Sequence, residues 1–134
     1  MIELPYEREP TKLAALLASC DAFVHANDSE PFGLIVLEAM ACGLPVVGVN
    51  SGGVAESVDG SVGALATRSA APEFAEAIEA VFANDPSVLG RAALLRARER
   101  HGWDAVFQRL ARLYADVSGE AAFARSSAEF ALAS

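Results

Sequence analysis

A helix and a strand that are apolar on nearly every side follow one another between residues 33 and 49. Residues 34–42 are apolar around a single carboxylate, Glu38, and Gly43 stands where a helix of this kind is expected to end. Residues 46–49 contain no polar side chain, which is typical of a parallel strand that is covered on both faces. The pair therefore predicts an α/β fold with a parallel sheet packed between helices.

The rest of the chain continues this alternation of helices and short apolar strands. The hydrophobic spacing predicts strands at residues 22–24 and 63–66 and a first helix that begins near residue 10. Further helices are predicted at residues 54–58, 73–83, 88–100 and 103–117. We therefore expect a doubly wound parallel sheet, which binds ligands beyond the carboxyl ends of its strands. Residues 27–33 and 50–53 would then share one rim, and Trp103 is expected to anchor packing.

Glu38 is the costly residue of the predicted helix, because a glutamate among apolar neighbours loses its hydration unless donors replace the water. One interpretation is an ion pair with a lysine or arginine elsewhere in the chain. The other is a ligand site, since Gly33 stands where the helix begins with free N–H groups that attract phosphate. Helical side chains tilt toward the N-terminus, so Glu38 could accept hydrogen bonds from ribose hydroxyls there.

The residues around this helix form a long pattern. Residues 30–34 are Glu-Pro-Phe-Gly-Leu, and residues 38–47 are Glu-Ala-Met-Ala-Cys-Gly-Leu-Pro-Val-Val. The pattern resembles the signature of the family 4 retaining glycosyltransferases, whose GT-B architecture consists of two facing Rossmann-like domains. Similarity continues in residues 13–24, 52–56 and 103–114. The resemblance implies a Rossmann-like half of a GT-B fold, truncated on its N-terminal side.

The resemblance also implies roles for individual residues. Glu30 is expected to be the catalytic residue that faces the donor sugar near its reacting carbon, and Glu38 to bind the ribose of a nucleotide sugar. The main chain of three neighbouring residues is expected to hold sugar hydroxyls or phosphate: Phe32, Gly33 and Leu34. Gly52 and Gly53 either let a donor phosphate approach the main chain or form a tight turn, and the sequence leaves both open.

Other polar residues are weaker candidates for chemistry. His25 ends a predicted strand, and a lone histidine of this kind is more often a hydrogen-bonded structural residue than a catalytic one. Asp28 and Glu30 could in principle hold a metal, but the resemblance implies that basic residues and helix N-termini stabilise the leaving diphosphate. We therefore expect neither a metal nor a cofactor. Cys20 and Cys42 lack metal or disulfide spacing and indicate packing in a reducing compartment.

Charge and composition restrict the partners. The net charge is −8 and Lys12 is the only lysine, which argues against nucleic acid and anionic membranes. No apolar run approaches the length of about 18 residues that a membrane span requires, and no signal-peptide pattern is present. We therefore expect a cytoplasmic protein.

The resemblance shows which parts of a complete enzyme this sequence does not contain. Such an enzyme needs an N-terminal acceptor domain and an upstream Arg and Lys that grip the diphosphate. We expect residues 1–118 to form part of the nucleotide-sugar-binding domain and the Ala/Ser-rich residues 119–134 to be a frayed tail. Residues 1–4 resemble a strand of that domain. The edge of strand 22–24 would be open, and residues 2–4, the tail or a second copy in a homo-oligomer could cover it.

Two functions follow from these expectations. The first is the donor-binding part of a hexosyltransferase that moves a hexose from a UDP- or GDP-sugar with retention, inactive as an isolated chain. The second is a non-catalytic nucleotide-sugar-binding or assembly module. A nucleotide-sugar epimerase is a third and weaker interpretation.

Overall fold

The computed structural model describes residues 2–118, and the predicted tail at 119–134 lies outside them. Strands and helices alternate in the first half of the chain, and helices alone follow. In order, the elements are α1 (Pro10–Ala18), β1 (Phe23–His25), α2 (Leu34–Ala41), β2 (Val46–Val49), α3 (Gly52–Ser57), β3 (Gly63–Ala66), α4 (Ala71–Ala83), α5 (Pro86–His101) and α6 (Trp103–Ser118).

The three strands form one parallel sheet in the order β1-β2-β3. Strand β2 lies in the middle and is buried at every position, as its apolar sequence predicts. Successive side chains of a strand point to opposite faces, so Val46 and Val47 enter different cores. Val46 packs with residues of α2, α3 and α5, and Val47 packs with residues of α4 and with Leu89. The predicted α/β class with helices on both faces of a parallel sheet is confirmed.

Helix ends follow the expected chemistry. Proline lies in the first turn of both α1 and α4, where its missing N–H is not needed. Helix α2 ends at Ala41, and Gly43 then adopts a φ of +82°, a left-handed conformation that glycine reaches without strain. This turn leads directly into Pro45 and β2.

Three expectations about packing are wrong. Residues 2–4 form no strand and stay exposed, with Ile2 88% exposed, because no partner strand lies beside them among the described residues. Helix α2 is not buried all round: Leu34, 65% exposed, and Glu38 lie one turn apart on an exposed stripe. Trp103 is exposed and stacks on Phe107, with ring centroids 5.6 Å apart, instead of entering a core.

Strand β1 pairs only with β2 in the described part of the chain, so its outer edge is open as expected. It begins one residue later than the sequence predicts. The contacts divide the chain into two compact units, Met1–Ala97 with the sheet and a second unit that starts at Arg98 and contains α6. Across residues 2–118, every helix is too short or too polar to cross a membrane.

Candidate functional site

Three loops meet beyond the carboxyl ends of the strands. The loop after β1 (residues 26–33) is joined to the loops after β2 and β3 by hydrogen bonds from Ser51 Oγ to Asp28 O (2.7 Å), from Gly53 N to Glu30 O (3.0 Å) and from Ser69 Oγ to Ala26 O (2.8 Å). The expectation that residues 27–33 and 50–53 share one rim is therefore confirmed. The loop after β3 is an addition that sequence reasoning missed, because Ser69 carries no pattern that marks it.

Glycines allow the first two loops to approach this closely. A Cβ atom on Gly53 would lie 2.6 Å from the main-chain carbon of Phe32, and one on Gly52 would overlap the carbonyl oxygen of Glu30. Gly52 also has a φ of +52°. The space beside both α-carbons is thus filled by the neighbouring loop, which explains the two glycines without a ligand. Their contact with a donor remains a prediction.

The carboxylate of Glu30 lies at the centre of this arrangement. Its Oε1 accepts a 3.0 Å hydrogen bond from the Gly33 N–H, and its Oε2 lies 3.7 Å from His25 Nε2. The side chain is 21% exposed, so one part of it remains open to solvent. Glu30 is therefore a restrained and partly exposed carboxylate in the loop after β1. Its contact with Gly33 fixes the turn that enters α2.

His25 is placed differently from the expected hydrogen-bonded structural histidine. Its side chain is 16% exposed, and its Nε2 is buried without a hydrogen-bond partner among the described residues. The ring stacks on Phe23 at 6.0 Å between centroids with 15° between the planes. The expectation of a satisfied histidine is wrong for Nε2, because the nearest acceptor, on Glu30, lies beyond hydrogen-bond distance.

The N-terminus of α2 provides main-chain donors beside this carboxylate. Gly33 precedes the helix with a φ of +67°, and no side chain caps the first turn. The N–H groups of a first helical turn have no partner within the helix, and the helix dipole makes this end positive. The side chains of Phe32 and Leu34 are exposed, so the helix entry is not covered by the core. Phosphate binding at this end of α2 stays a prediction.

Glu38 lies on the exposed stripe of α2, above Leu34. None of the ion pairs formed in residues 2–118 includes Glu38, so the interpretation as a structural ion-pair partner finds no support. Its exposure also removes the cost of burial that made it notable in the sequence. Burial, and to a smaller extent the Glu38 charge, raises the pKa of the Cys42 thiol. Glu38 is therefore an accessible carboxylate about one turn into α2.

The half-buried Arg96 of α5 serves a different part of the domain. Arg96 forms an ion pair with Asp59 (2.9 Å) and donates to Ser61 Oγ (2.7 Å). These partners lie in the loop before β3, at the amino end of the strand. The Arg96 hydrogen bond, followed by those from Ser61, holds the pKa of the Asp59 carboxyl well below its ordinary value.

Comparisons with known proteins agree with this geometry. Residues 1–98 match the family described as glycosyl transferases group 1. The chain is 40% identical over 105 residues to a D-inositol 3-phosphate glycosyltransferase of Pseudarthrobacter chlorophenolicus, a match that covers 75% of this chain and 24% of that protein. It is 38% identical over 101 residues to an alpha-1,3/1,6-mannosyltransferase of Homo sapiens, with coverage of 73% and 24%.

A solved structure is also similar. The sucrose-phosphate synthase of Thermosynechococcus elongatus superposes with a TM-score of 0.65 at 26% identity, which covers 81% of this chain and 28% of that one. The chain thus spans about a quarter of the length of the proteins it matches.

Proposed function

The chain belongs to the glycosyl transferases of group 1, and we propose that it is the donor-binding part of an enzyme that transfers a hexose from a UDP- or GDP-sugar with retention of configuration. Its parallel sheet and flanking helices match the Rossmann-like half of a GT-B fold. The observation that carries the proposal is the position of Glu30, whose restrained carboxylate lies beside the uncapped N-terminus of α2.

Each part of a nucleotide sugar has a suitable partner in this arrangement. The free N–H groups of α2 attract the diphosphate, and they keep a favourable orientation as negative charge develops on the leaving group. Glu38, exposed on the same helix, accepts hydrogen bonds from the ribose hydroxyls. Glu30 faces the sugar, where a carboxylate stabilises a positively charged reacting carbon. Catalysis would then consist mainly of orientation and electrostatic stabilisation.

The residues of the site suggest a class of donor, but they do not suggest an acceptor. The relatives differ in sugar or product by name: a D-inositol 3-phosphate glycosyltransferase, a mannosyltransferase, a glycogen synthase of Mycobacterium tuberculosis and a sucrose-phosphate synthase. A nucleotide sugar is the donor class that suits an anion-binding helix end with an adjacent ribose acceptor. We place the acceptor site on a domain outside these residues.

The isolated 134-residue chain is expected to bind its donor weakly and to transfer no sugar. Glu30 and Glu38 present negative charge to an anionic ligand, and one helix N-terminus offsets this by only about 1 kcal/mol. A dissociation constant of about 1 mM or weaker follows, which corresponds to about 4 kcal/mol of binding free energy.

An NMR titration of the chain tests the proposal. UDP-glucose and GDP-mannose are added to about 50 mM, so that binding several-fold weaker than about 1 mM is still detected, with free glucose and mannose as controls. We expect shifts of the amides in the first turn of α2 and at Gly53 with the nucleotide sugars alone. Unchanged spectra, or shifts confined to other parts of the chain, would overturn the proposal.

The non-catalytic alternative gives the same titration and differs in turnover. Fusing the chain to the acceptor domain of a group 1 relative, together with the relative's upstream segment that carries the Arg and Lys, should produce sugar transfer that Glu30→Gln slows by about 100-fold or more. A fusion that binds donor normally and transfers nothing would favour the binding module.

A further inference from the structure

A buried nitrogen without a hydrogen-bond partner lies 3.7 Å from the proposed catalytic carboxylate. His25 Nε2 has no hydrogen bond among the described residues, although burying an unpaired polar atom costs about 1–3 kcal/mol. The nearest charged atom is Glu30 Oε2 at 3.7 Å. The only change needed to satisfy Nε2 is a shortening of this distance by about 0.5 Å or slightly more.

The sheet restrains the main chain of His25, and Phe23 restrains its ring. His25 is the last residue of β1 and pairs in register with Gly48 of the central strand, and its ring stacks on Phe23. Glu30, in contrast, belongs to a loop, and its Oε1 already accepts the Gly33 N–H. The rigid member of the pair is therefore the histidine, and the member that it can orient is the carboxylate.

We propose that His25 is a positioning residue for Glu30: its Nε2–H donates to Glu30 Oε2 and keeps the opposite oxygen on the amide of Gly33. This inference rests on the proposed function for the sugar that Glu30 faces. With one donor on each oxygen, the carboxylate cannot rotate, and its orientation toward the sugar ring is set before the donor binds. Because its Nε2 is buried, His25 would act through Glu30 and not on the substrate itself.

The first test needs no variant. A long-range nitrogen–proton NMR spectrum of the chain, labelled with nitrogen-15, shows which ring nitrogen of His25 carries the proton. We expect a protonated Nε2. A neutral ring protonated only at Nδ1 would leave a bare nitrogen facing a carboxylate, and it would overturn the proposal.

The second test follows the amide of Gly33 in three variants. His25→Phe keeps a ring that can stack on Phe23 and removes the donor, whereas His25→Gln places an amide N–H near the position of Nε2. His101→Phe makes the same change at the other histidine of the chain and is the matched control. In His25→Phe, we expect the chemical shift of the Gly33 amide to move toward the value that it has in Glu30→Ala. In His25→Gln and His101→Phe, it should stay near the wild-type value.

A purely structural role for His25 would give a different pattern. The Gly33 amide would then stay at its wild-type shift in His25→Phe, or His25→Gln would fail to restore it, and either result overturns the proposal. Amides of β2 report in the same spectra whether each variant is folded. If His25→Phe is unfolded, the position of the ring proton in the wild type and the spectrum of His25→Gln still test the positioning role.

Donor binding separates this inference from the function on which it rests. We expect His25→Phe to reduce the preference for UDP-glucose over UDP, or for GDP-mannose over GDP, as much as Glu30→Ala does, with nucleotide affinity within about twofold of wild type. If neither nucleotide sugar binds while the Gly33 amide follows His25, the proposed function fails and the positioning role stands. If a nucleotide sugar binds and the Gly33 amide shift is unchanged in His25→Phe, the positioning role alone fails.

Discussion

The Gly53 amide donates a 3.0 Å hydrogen bond to the carbonyl oxygen of Glu30, so the loop after β2 holds the residue whose carboxylate fixes the entry to α2. The main chain and the side chain of Glu30 are thus restrained by two different loops. These two hydrogen bonds hold Glu30 and leave part of its side chain open to solvent. The site is built from contacts within the first unit of the chain.

Gly53→Ala should destabilise the domain because the new Cβ atom would lie 2.6 Å from main-chain atoms of Phe32, which cannot rotate away. We expect the free energy of unfolding in urea to fall by about 1–3 kcal/mol, the range for overpacked sites. Gly60→Ala is the matched control, since nothing lies within 4 Å of its Cβ position. Equal effects at the two glycines would show that the loops separate easily.

Glu38→Ala should weaken nucleotide binding without affecting the fold. In a transferase that carries this domain, calorimetry should show a loss of about 1.5–3 kcal/mol in binding UDP or GDP, the range for hydrogen bonds to a charged group. Stability should change by less than about 0.5 kcal/mol because Glu38 is exposed. Glu79→Ala, another exposed helical glutamate, should change neither quantity. Unchanged affinity with reduced stability would instead identify Glu38 as a structural residue.

Glu30→Gln should reduce turnover far more than nucleotide affinity, because Glu30 faces the sugar in our proposal. The amide oxygen of glutamine can still accept from the Gly33 N–H, so the turn before α2 is retained. We expect kcat to fall by about 100-fold or more, as for other groups aimed at a reacting centre. Steady-state kinetics of the same transferase measure this directly, and a near-normal kcat would remove Glu30 from the reaction.

The Asp59–Arg96 pair should make stability depend on pH below the ordinary aspartate range. Because Arg96 lowers the pKa of Asp59 in the folded state, the pair's contribution is complete above the unfolded pKa of about 4 and is lost as pH falls. Asp59 is 60% exposed, so solvent screening limits this contribution to about 1 kcal/mol or less.

Urea unfolding of the Asp59→Asn variant at neutral and acidic pH measures that contribution. The variant should be less stable than wild type at pH 7, and the difference should shrink as the pH falls toward about 2. Glu56→Gln, at an exposed glutamate of α3, should show no such difference. A gap that persists unchanged in acid would mean that hydrogen bonding, and not charge, links Asp59 to Arg96.

The sequence predicts the elements that depend on local patterns. The run of residues 46–49 is buried on both faces as predicted, and Gly43 ends its helix in the expected conformation. The shared rim of the first two loops also follows from the parallel sheet, since strands of equal direction bring their carboxyl ends to one edge. These features require only hydrophobic spacing and turn chemistry.

What the sequence does not predict depends on neighbours distant in the chain. Glu38 looks buried because its neighbours are apolar, but the face that it shares with Leu34 has nothing packed on it among the described residues. The approach of His25 to Glu30 depends on the path of the intervening loop, which hydrogen bonds from Ser51 and Gly53 determine. No local pattern contains that information.

The spatial order of the strands equals their order in the chain, and this has a consequence for synthesis on the ribosome. Among the described residues, β2 and β3 each pair with the strand made just before them, so the cost of closing these loops stays small. The bond from Gly53 to Glu30 can form before β3 has been translated. The main chain of Glu30 can therefore be held early in a growing polypeptide, before α4 and α5 are added to the faces of the sheet.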